Sequence, residues 1–338
     1  MRKTALLYLF AMLFFSGASA QNDIGDLLKG SIKDANILLE GYVGPAMRAL
    51  GSGLNQGWYN TAKPHKKFGV DLTFTSSLMY VPSSDQFYLV DNTKLEKIDL
   101  ISYDGKSVAA SGSANVPTIF GPDKSPTYQI SGSNTTIDGP GGLDLKNTIK
   151  VANALPVPMY NLGIGLPKSF DLKIRFLPTL TFNDLKLSLF GVGVMHDVGQ
   201  YIPGVKALPI DISAFVGFTK MKLDQDLSGT TAGQNQKALL EFNSTTIQAL
   251  ISKKISVLTV YGGLGYNIAT SNIAMKGTYD LDDDGSPEAT DPVNLDFSTS
   301  GVRATAGLRL KLAVFTLHGD YTLSKYNALT VGFGINVR

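Results

Sequence analysis

From Gly301 to the end of the chain, apolar and polar positions alternate with a period of two, the spacing that places successive side chains on opposite faces of a β-strand. In the final segment Leu329, Val331, Phe333, Ile335 and Val337 share one face, while Thr330, Gly332, Gly334, Asn336 and Arg338 share the other. The segment before it sets Ala313, Phe315, Leu317, Gly319, Tyr321 and Leu323 against Val314, Thr316, His318, Asp320 and Thr322. One segment earlier, Val302, Ala304, Ala306, Leu308, Leu310 and Leu312 oppose Gly301, Arg303, Thr305, Gly307, Arg309 and Lys311. One face is apolar and the other carries glycine and charge. The same rule recurs where Phe170, Leu172, Ile174 and Phe176 oppose Asp171, Lys173 and Arg175.

Further strands are expected at Tyr160 to Leu166, Leu185 to Met195, Pro209 to Met221, Leu239 to Ile251 and Leu258 to Ile268, with a first one at Phe68 to Thr75. A soluble sandwich also alternates, so strand length, turns and the chain end decide between the two. Strands of about ten residues, joined by very short turns and ending in a strand at the C-terminus, match the 9–11 residues that cross a bilayer. The expected fold is all-β, a transmembrane antiparallel barrel. At roughly 20 residues per strand and connection, residues 67–338 allow about 12–14 strands. The strand from Leu185 is apolar on both faces near Phe190 to Val194, so its inner face is expected to meet a plug or an apolar passage. Between about Leu95 and Val151 the pattern weakens into Ser, Gly, Asn and Pro, which predicts irregular strands and long loops.

The N-terminal part has a different period. Residues 1–20 read as a cleaved secretory signal, with Arg2 and Lys3 ahead of an apolar stretch from Ala5 to Phe15 and Ala18-Ser19-Ala20 as the cleavage site, so the mature chain would begin at Gln21. From there Ile24, Leu27, Leu28, Ile32, Ala35, Leu38, Leu39, Tyr42, Val43 and Met47 recur at helical spacing, with an interruption expected near Gly44-Pro45. Residues 21–66 are therefore expected to form a short helical plug inside the barrel of residues 67–338. No apolar run of eighteen or more residues follows the signal, which leaves a closed barrel as the membrane-spanning form.

Charge and chemistry refine this picture only slightly. The 30 basic and 28 acidic residues include Arg2 and Lys3 of the leader, so the mature chain is formally neutral and nothing steers it toward nucleic acid. The absence of cysteine excludes disulfides and thiolate chemistry. Only His65, His196 and His318 are available for proton transfer. Although His318 and Asp320 share an inner face, no serine falls beside them, and no enzymatic activity is expected. The inward charges Asp171, Lys173, Arg175, Asp211, Arg303, Arg309, Lys311, Asp320 and Arg338 are expected to form a mutually neutralising lumen ladder, with His318 among them. Asp280, Asp282 and Asp284 alternate ahead of Gly285, with Asp291 at the twelfth position of the loop. Carboxylates in that arrangement wrap oxygen ligands around calcium, although a solvated acidic loop has the same composition.

Gly44-Pro45-Ala46-Met47-Arg48-Ala49-Leu50-Gly51 leading to Trp58-Tyr59-Asn60, together with Leu155-Pro156-Val157-Pro158, Gly163-Ile164-Gly165-Leu166-Pro167 and Arg175-Phe176-Leu177-Pro178, resemble outer-membrane barrels related to the long-chain fatty-acid transporter (FadL-like), and more closely a set of such barrels from Bacteroidota. That resemblance implies a Gram-negative outer-membrane location, an N-terminal hatch and hydrophobic ligands that leave sideways into lipid. It places the gate at Tyr42, Arg48, Trp58, Tyr59 and Asn60, with the bilayer and a small hydrophobic compound as partners. The alternative is a non-conducting scaffold barrel that presents its loops to a protein partner. Calcium is the one cofactor the sequence raises: calorimetry should record a calcium-dependent heat that is lost in Asp282→Ala, and the absence of any heat would refute the calcium loop.

Overall fold

The computed structural model describes residues 27–337, apart from 29, 146, 148–152, 228–232 and 282–283; the signal region and Arg338 lie outside the described residues. Helix α1 (Ile32–Gly53) precedes β1 (Val70–Tyr80). Six short strands follow: β2 (Phe87–Asp91), β3 (Ile98–Tyr103), β4 (Lys106–Ser107), β5 (Ser113–Pro117), β6 (Thr127–Ile130) and β7 (Thr136–Asp138). Then come β8 (Ala154–Leu166), β9 (Phe170–Phe182), β10 (Leu185–Asp197), β11 (Asp211–Asp226), β12 (Gly233–Ile255), β13 (Leu258–Tyr279), the two-residue β14 (Ala289–Thr290), β15 (Val293–Leu312), β16 (Phe315–Leu323) and β17 (Ala328–Val337).

Ten of these strands close on themselves in the order β1, β8, β9, β10, β11, β12, β13, β15, β16, β17, every pairing antiparallel. The ring is sealed between its first and last strands, from Val70↔Val337 to Met79↔Ala328. Ten ring strands replace the expected 12–14 for two reasons. First, β12, β13 and β15 run for 23, 22 and 20 residues instead of about ten. Second, the chain between β1 and β8 leaves the ring and folds into two small sheets, β2 with β5 and β4-β3-β6-β7.

Alternation places apolar side chains outside. Val302, Leu308, Phe333 and Ile335 are exposed, whereas Arg303, Thr305, Thr330 and Asn336 on the same strands are buried. The outward belt stops part-way up the long strands. Beyond it the outward positions turn polar, with Lys220 and Lys222 on β11, Glu241 and Asn243 on β12, and Asn294 and Asp296 on β15. These strands therefore rise past the apolar belt at one end of the barrel, the loop end, where residues 81–153 and 280–292 also lie. The other end, the turn end, holds the tight connections Pro167–Ser169, Ser256–Val257 and Ala313–Val314, the longer loop 198–210, the start of β1 and the end of β17. No helix among the described residues is long and apolar enough to cross a membrane.

Helix α1 enters at the loop end and descends into the ring. Ser31 caps it by accepting from the Asp34 N–H at 3.2 Å. Asp34 is fully buried, and its carboxylate accepts the backbone N–H groups of Glu96, Lys97 and Ile98 at 2.7–3.0 Å, which ties the helix to β3. Leu27, Leu28, Ala35, Leu38 and Leu39 pack there against Val90, Ile98, Leu100, Tyr128 and Val293. Farther along, Ala46, Met47, Ala49, Leu50 and Leu54 pack against Met79, Leu155, Val157, Met159, Leu187, Met221 and Phe242 of the wall. The break expected near Gly44-Pro45 does not occur. α1 is continuous through Pro45, because packing against walls on every side overrides a local preference that costs about 3 kcal/mol in an isolated helix.

On this arrangement Phe333→Arg, which puts a charge in the middle of the outward face of β17, should lower stability in lipid vesicles by about 2–4 kcal/mol, read from a denaturant titration.

Candidate functional site

Helix α1 ends inside the barrel, away from bulk water. The turn that follows takes three of its last carbonyls, with the N–H groups of Leu54, Asn55 and Gln56 donating to Leu50, Ser52 and Gly53 at 3.0–3.2 Å, which leaves Gly51 O and the carbonyls of Leu54, Asn55 and Gln56 to other donors. The wall supplies the donors. Ser271 Oγ donates to Met47 O at 3.3 Å and Ser244 Oγ to Gly51 O at 2.7 Å. Arg175 on β9 donates from Nη1 to Leu54 O at 2.6 Å and from Nη2 to Gln56 O, while its Nε reaches Asn161 Oδ1 at 2.7 Å. Across the lumen, Arg303 on β15 donates from Nη1 to Asn55 O at 2.8 Å and from Nη2 to Gln56 Oε1 at 2.8 Å. Two guanidinium groups thus clamp the chain as it leaves the helix, where the helix dipole also favours positive charge. This corrects the expected ladder: among the described residues Arg175, Arg303 and Arg309 form no ion pair with a carboxylate, because two of them are used on plug carbonyls instead.

Below the clamp lies Trp58, 2% exposed, with the Arg175 Cζ 3.6 Å from its ring centroid. The indole fits over Gly193 and Gly217, which pair across β10 and β11. A Cβ at Gly193 would come within 3.1 Å of Trp58, and one at Gly217 within 2.9 Å, so these inward glycines are the notch that admits the ring. The expectation that the inner face of the Leu185 strand meets the N-terminal segment corresponds to this contact. Tyr59 packs edge-on to Phe215 and Tyr261, and its hydroxyl donates to Gln248 Oε1 at 2.6 Å. Asn60 is only half-buried.

At the turn end a polar network joins the segment to both seam strands. Lys173 Nζ lies 3.2 Å from Asp71 Oδ1 and 3.2 Å from Asp171 Oδ2. His65 Nδ1 is 2.8 Å from Asp171 Oδ2, and Asn336 bridges His65 Nε2 to Lys311. Asn336 Oδ1 accepts from Lys311 and its amide faces His65 Nε2, which also lies 3.5 Å from Asp71 Oδ1. The sequence offers His65 only as one of three histidines available for proton transfer, and it does not point to Asp71. Asp71 sits at an inward position of β1, a signal that was available, whereas His65 lies in a segment without periodicity.

The remaining expected residues are dispersed. The Tyr42 hydroxyl donates to Gly141 O at 2.9 Å at the loop end. Arg48 is half-buried beside Tyr326, whose hydroxyl donates to Asp85; burial and that carboxylate raise the Tyr326 phenol above its ordinary range, so it stays a neutral donor. Arg309 and His318 face the lumen as cross-strand partners, and among the described residues neither His318 nitrogen nor Arg309 Nε has a hydrogen-bond partner. Asp320 accepts from Tyr261 at 2.8 Å, not from His318. In the acidic loop, Asp280, Asp284 and Glu288 converge within 4.8 Å, while Asp282 lies outside the described residues. Asp291 points elsewhere, accepting from Lys276 Nζ and Gly277 N, both at 2.9 Å, and Glu288 stands where the twelfth-position carboxylate was expected.

Between β8 and β9 the ladder stops part-way although both strands continue. β8 pairs with β1 along its whole length, from Val70↔Ile164 to Tyr80↔Ala154. It pairs with β9 only from Leu166↔Phe170 to Leu162↔Ile174. Beyond that point Pro156 and Pro158 on β8, which offer no N–H, face a stretch of β9 that holds Pro178, and the β9–β10 register slips between Leu187 and Leu189. Tyr160 and Phe176, 48% and 64% exposed, stand at the outer lips of the break. Val157, Met159 and Leu177 stand behind them in the apolar upper lumen.

The sequence model of a family of unknown function, DUF6588, matches residues 1–337. No curated protein matches the chain. Among solved structures, the attachment invasion locus protein Ail of Yersinia pestis is 8% identical at TM-score 0.27, covering 80% of this chain and 99% of its own. The translocator domain of the autotransporter NalP from Neisseria meningitidis is 11% identical at TM-score 0.27, covering 90% and 98%. A TodX monoaromatic hydrocarbon channel mutant is 8% identical at TM-score 0.23, covering 81% and 68%.

Removing the clamp tests its role. Arg175→Ala and Arg303→Ala should each cost about 1.5–3 kcal/mol per carbonyl left without its charged donor. Emission from Trp58, the only tryptophan, should shift to the red in Arg175→Ala as the ring loosens; an unshifted spectrum would mean that the notch alone holds it.

Proposed function

We propose that this chain, which belongs to the DUF6588 family, is an outer-membrane barrel that binds small hydrophobic compounds at its loop end and releases them sideways into lipid between β8 and β9. The observation that carries this reading is the unpaired upper half of the β8–β9 seam. A closed barrel normally satisfies every ladder group within the membrane. Here three prolines remove donors from the facing edges, so an opening at this seam costs less than elsewhere in the ring. Apolar side chains stand on both sides of it: Tyr160 and Phe176 toward lipid, Val157, Met159 and Leu177 toward the lumen.

The lumen's polarity supports the same route. Above the arginine clamp the interior is mainly apolar, with Ser244 and Ser271 occupied by carbonyls of α1, and below it the lumen is filled by the Trp58 and Tyr59 cluster and the His65 network. A compound entering from the loop end thus meets apolar surface as far as the seam and hydrogen-bonded side chains beyond it. At the loop end a cleft of about 360 Å³ separates α1 from β2, lined by Ile37, Pro45, Arg48, Asp85, Phe87 and Leu89. That volume is in the range of small-molecule sites. Because α1 fills the upper lumen, passage requires the helix to yield, and Tyr42, Arg48 and Trp58 hold it on the way. No residue in this reading acts as a catalyst.

If the ladder continued past Leu162↔Ile174, Asn161↔Arg175 would come next, facing the lumen, and then Tyr160↔Phe176 as the next pair on the outward face. In this cysteine-free chain, a Tyr160→Cys, Phe176→Cys double variant can be oxidised to close the seam without side reactions. In proteoliposomes, uptake of the neutral fluorophore N-phenyl-1-naphthylamine should fall to the protein-free rate on oxidation and recover with reductant. Unchanged uptake in the oxidised form would refute the lateral route.

A further inference from the structure

The path of the N-terminal segment fixes more than a blocked lumen. Leu27, Leu28 and Ala35 lie at the loop end, against β3, β6 and the first residue of β15. From there the chain runs one way: down α1, through the clamp at Leu54 to Gln56, past Trp58 over the Gly193–Gly217 notch, to His65 beside Asp171, and out at the turn end. There the Phe68 N–H donates to Gly165 O at 2.8 Å and β1 turns back up into the wall. The segment thus traverses the barrel from end to end, antiparallel to β1, and the two ends of the described chain emerge on opposite faces.

Which face is which follows from the wall. At the turn end, three of the ring connections have only two or three residues, and the outward apolar belt runs almost to them. At the loop end, β11, β12, β13 and β15 continue well beyond the belt with polar outward positions, and the large excursion between β1 and β8 lies there. Membrane barrels have their short turns on the periplasmic side and their long loops outside.

We propose that the threaded segment stands with Leu27 to Lys33 on the outer face of the membrane and His65 on the periplasmic face, so that α1 is a stalk passing outward through its own barrel. The start of the segment is then a surface feature, held by Asp34 on β3 and by the Leu38 and Leu39 contacts, and sequence joined ahead of Leu27 is carried to the cell surface. This orientation does not depend on any ligand passing through the β8–β9 seam, and the two ideas fail separately.

Lys33 is exposed at the start of α1, and Lys254 is exposed at the turn end of β12. Because the chain has no cysteine, Lys33→Cys and Lys254→Cys each give a single reactive thiol. Cells expressing each variant are treated with a polyethylene-glycol maleimide too large to cross the outer membrane, before and after that membrane is permeabilised. Heat-modifiable gel migration first establishes that each variant is folded. The expected result is full labelling of Lys33→Cys in intact cells and labelling of Lys254→Cys only after permeabilisation. Labelling of Lys254→Cys in intact cells, or protection of Lys33→Cys until permeabilisation, would overturn the orientation. Failure of folded Lys33→Cys to label even in permeabilised cells would overturn the path of the segment itself. An epitope inserted directly ahead of Leu27 gives a second reading, with antibody binding to intact cells expected and binding confined to permeabilised cells counting against it.

Discussion

A chain that leaves its helix inside a barrel carries carbonyl oxygens where water cannot reach them, and the arrangement of this molecule follows from how those oxygens are satisfied. Arg175 and Arg303 approach from opposite walls and take the carbonyls of Leu54, Asn55 and Gln56. Neither arginine has a carboxylate partner among the described residues, so each depends on the plug as much as the plug depends on it. Removing the segment would strand two buried cations as well as expose the lumen. Barrel and plug are in this sense one folding unit, which also accounts for the continuity of α1 through Pro45.

The clamp also divides the interior. Above it, α1 offers apolar side chains to an apolar wall, and the close approach of Gly53 to Val157 leaves little room between them. Below it, the aromatic cluster and the His65, Asp171, Lys173 and Asp71 network join the segment to β1, β9 and β17 by directional bonds. An apolar contact can slide and re-form at small cost, whereas a buried ionic network broken at one partner leaves an unpaired charge. The upper half is held largely by apolar contacts, with hydrogen bonds of Asp34, Tyr42, Ser244 and Ser271 among them, and the incomplete β8–β9 seam lies beside that half. A seam in the lower half would open onto hydrogen-bonded charge.

How much of this was legible in the chain depends on the element. The facing of β15, β16 and β17 can be read directly from alternation, because lipid on one side and a polar lumen on the other impose opposite demands at every second residue. The inward positions of Asp171, Lys173, Arg175, Arg303 and Arg309 follow from the same rule. Their partners do not, since an inward charge carries no record of whether it will meet a carboxylate, a carbonyl or an indole ring. Gly193 and Gly217 illustrate the gap: as sequence they look like weak points in two strands, and as structure they are the seat of Trp58.

The sequence by itself determined the barrel class, the face each strand turns to lipid, the helical character of the N-terminal segment and the approximate place where it gives way to strand, because each of these is set by local periodicity and by the solvent on either side. Tertiary structure alone decided the count of ten strands, the direction in which the segment threads the lumen, the arginine clamp on its carbonyls, the displacement of Asp291 from the acidic loop and the incomplete seam at β8. Ring closure, register and side-chain partnership are relations between residues far apart in the chain, and the free energy that selects among them exists only once the strands are paired and the lumen is filled.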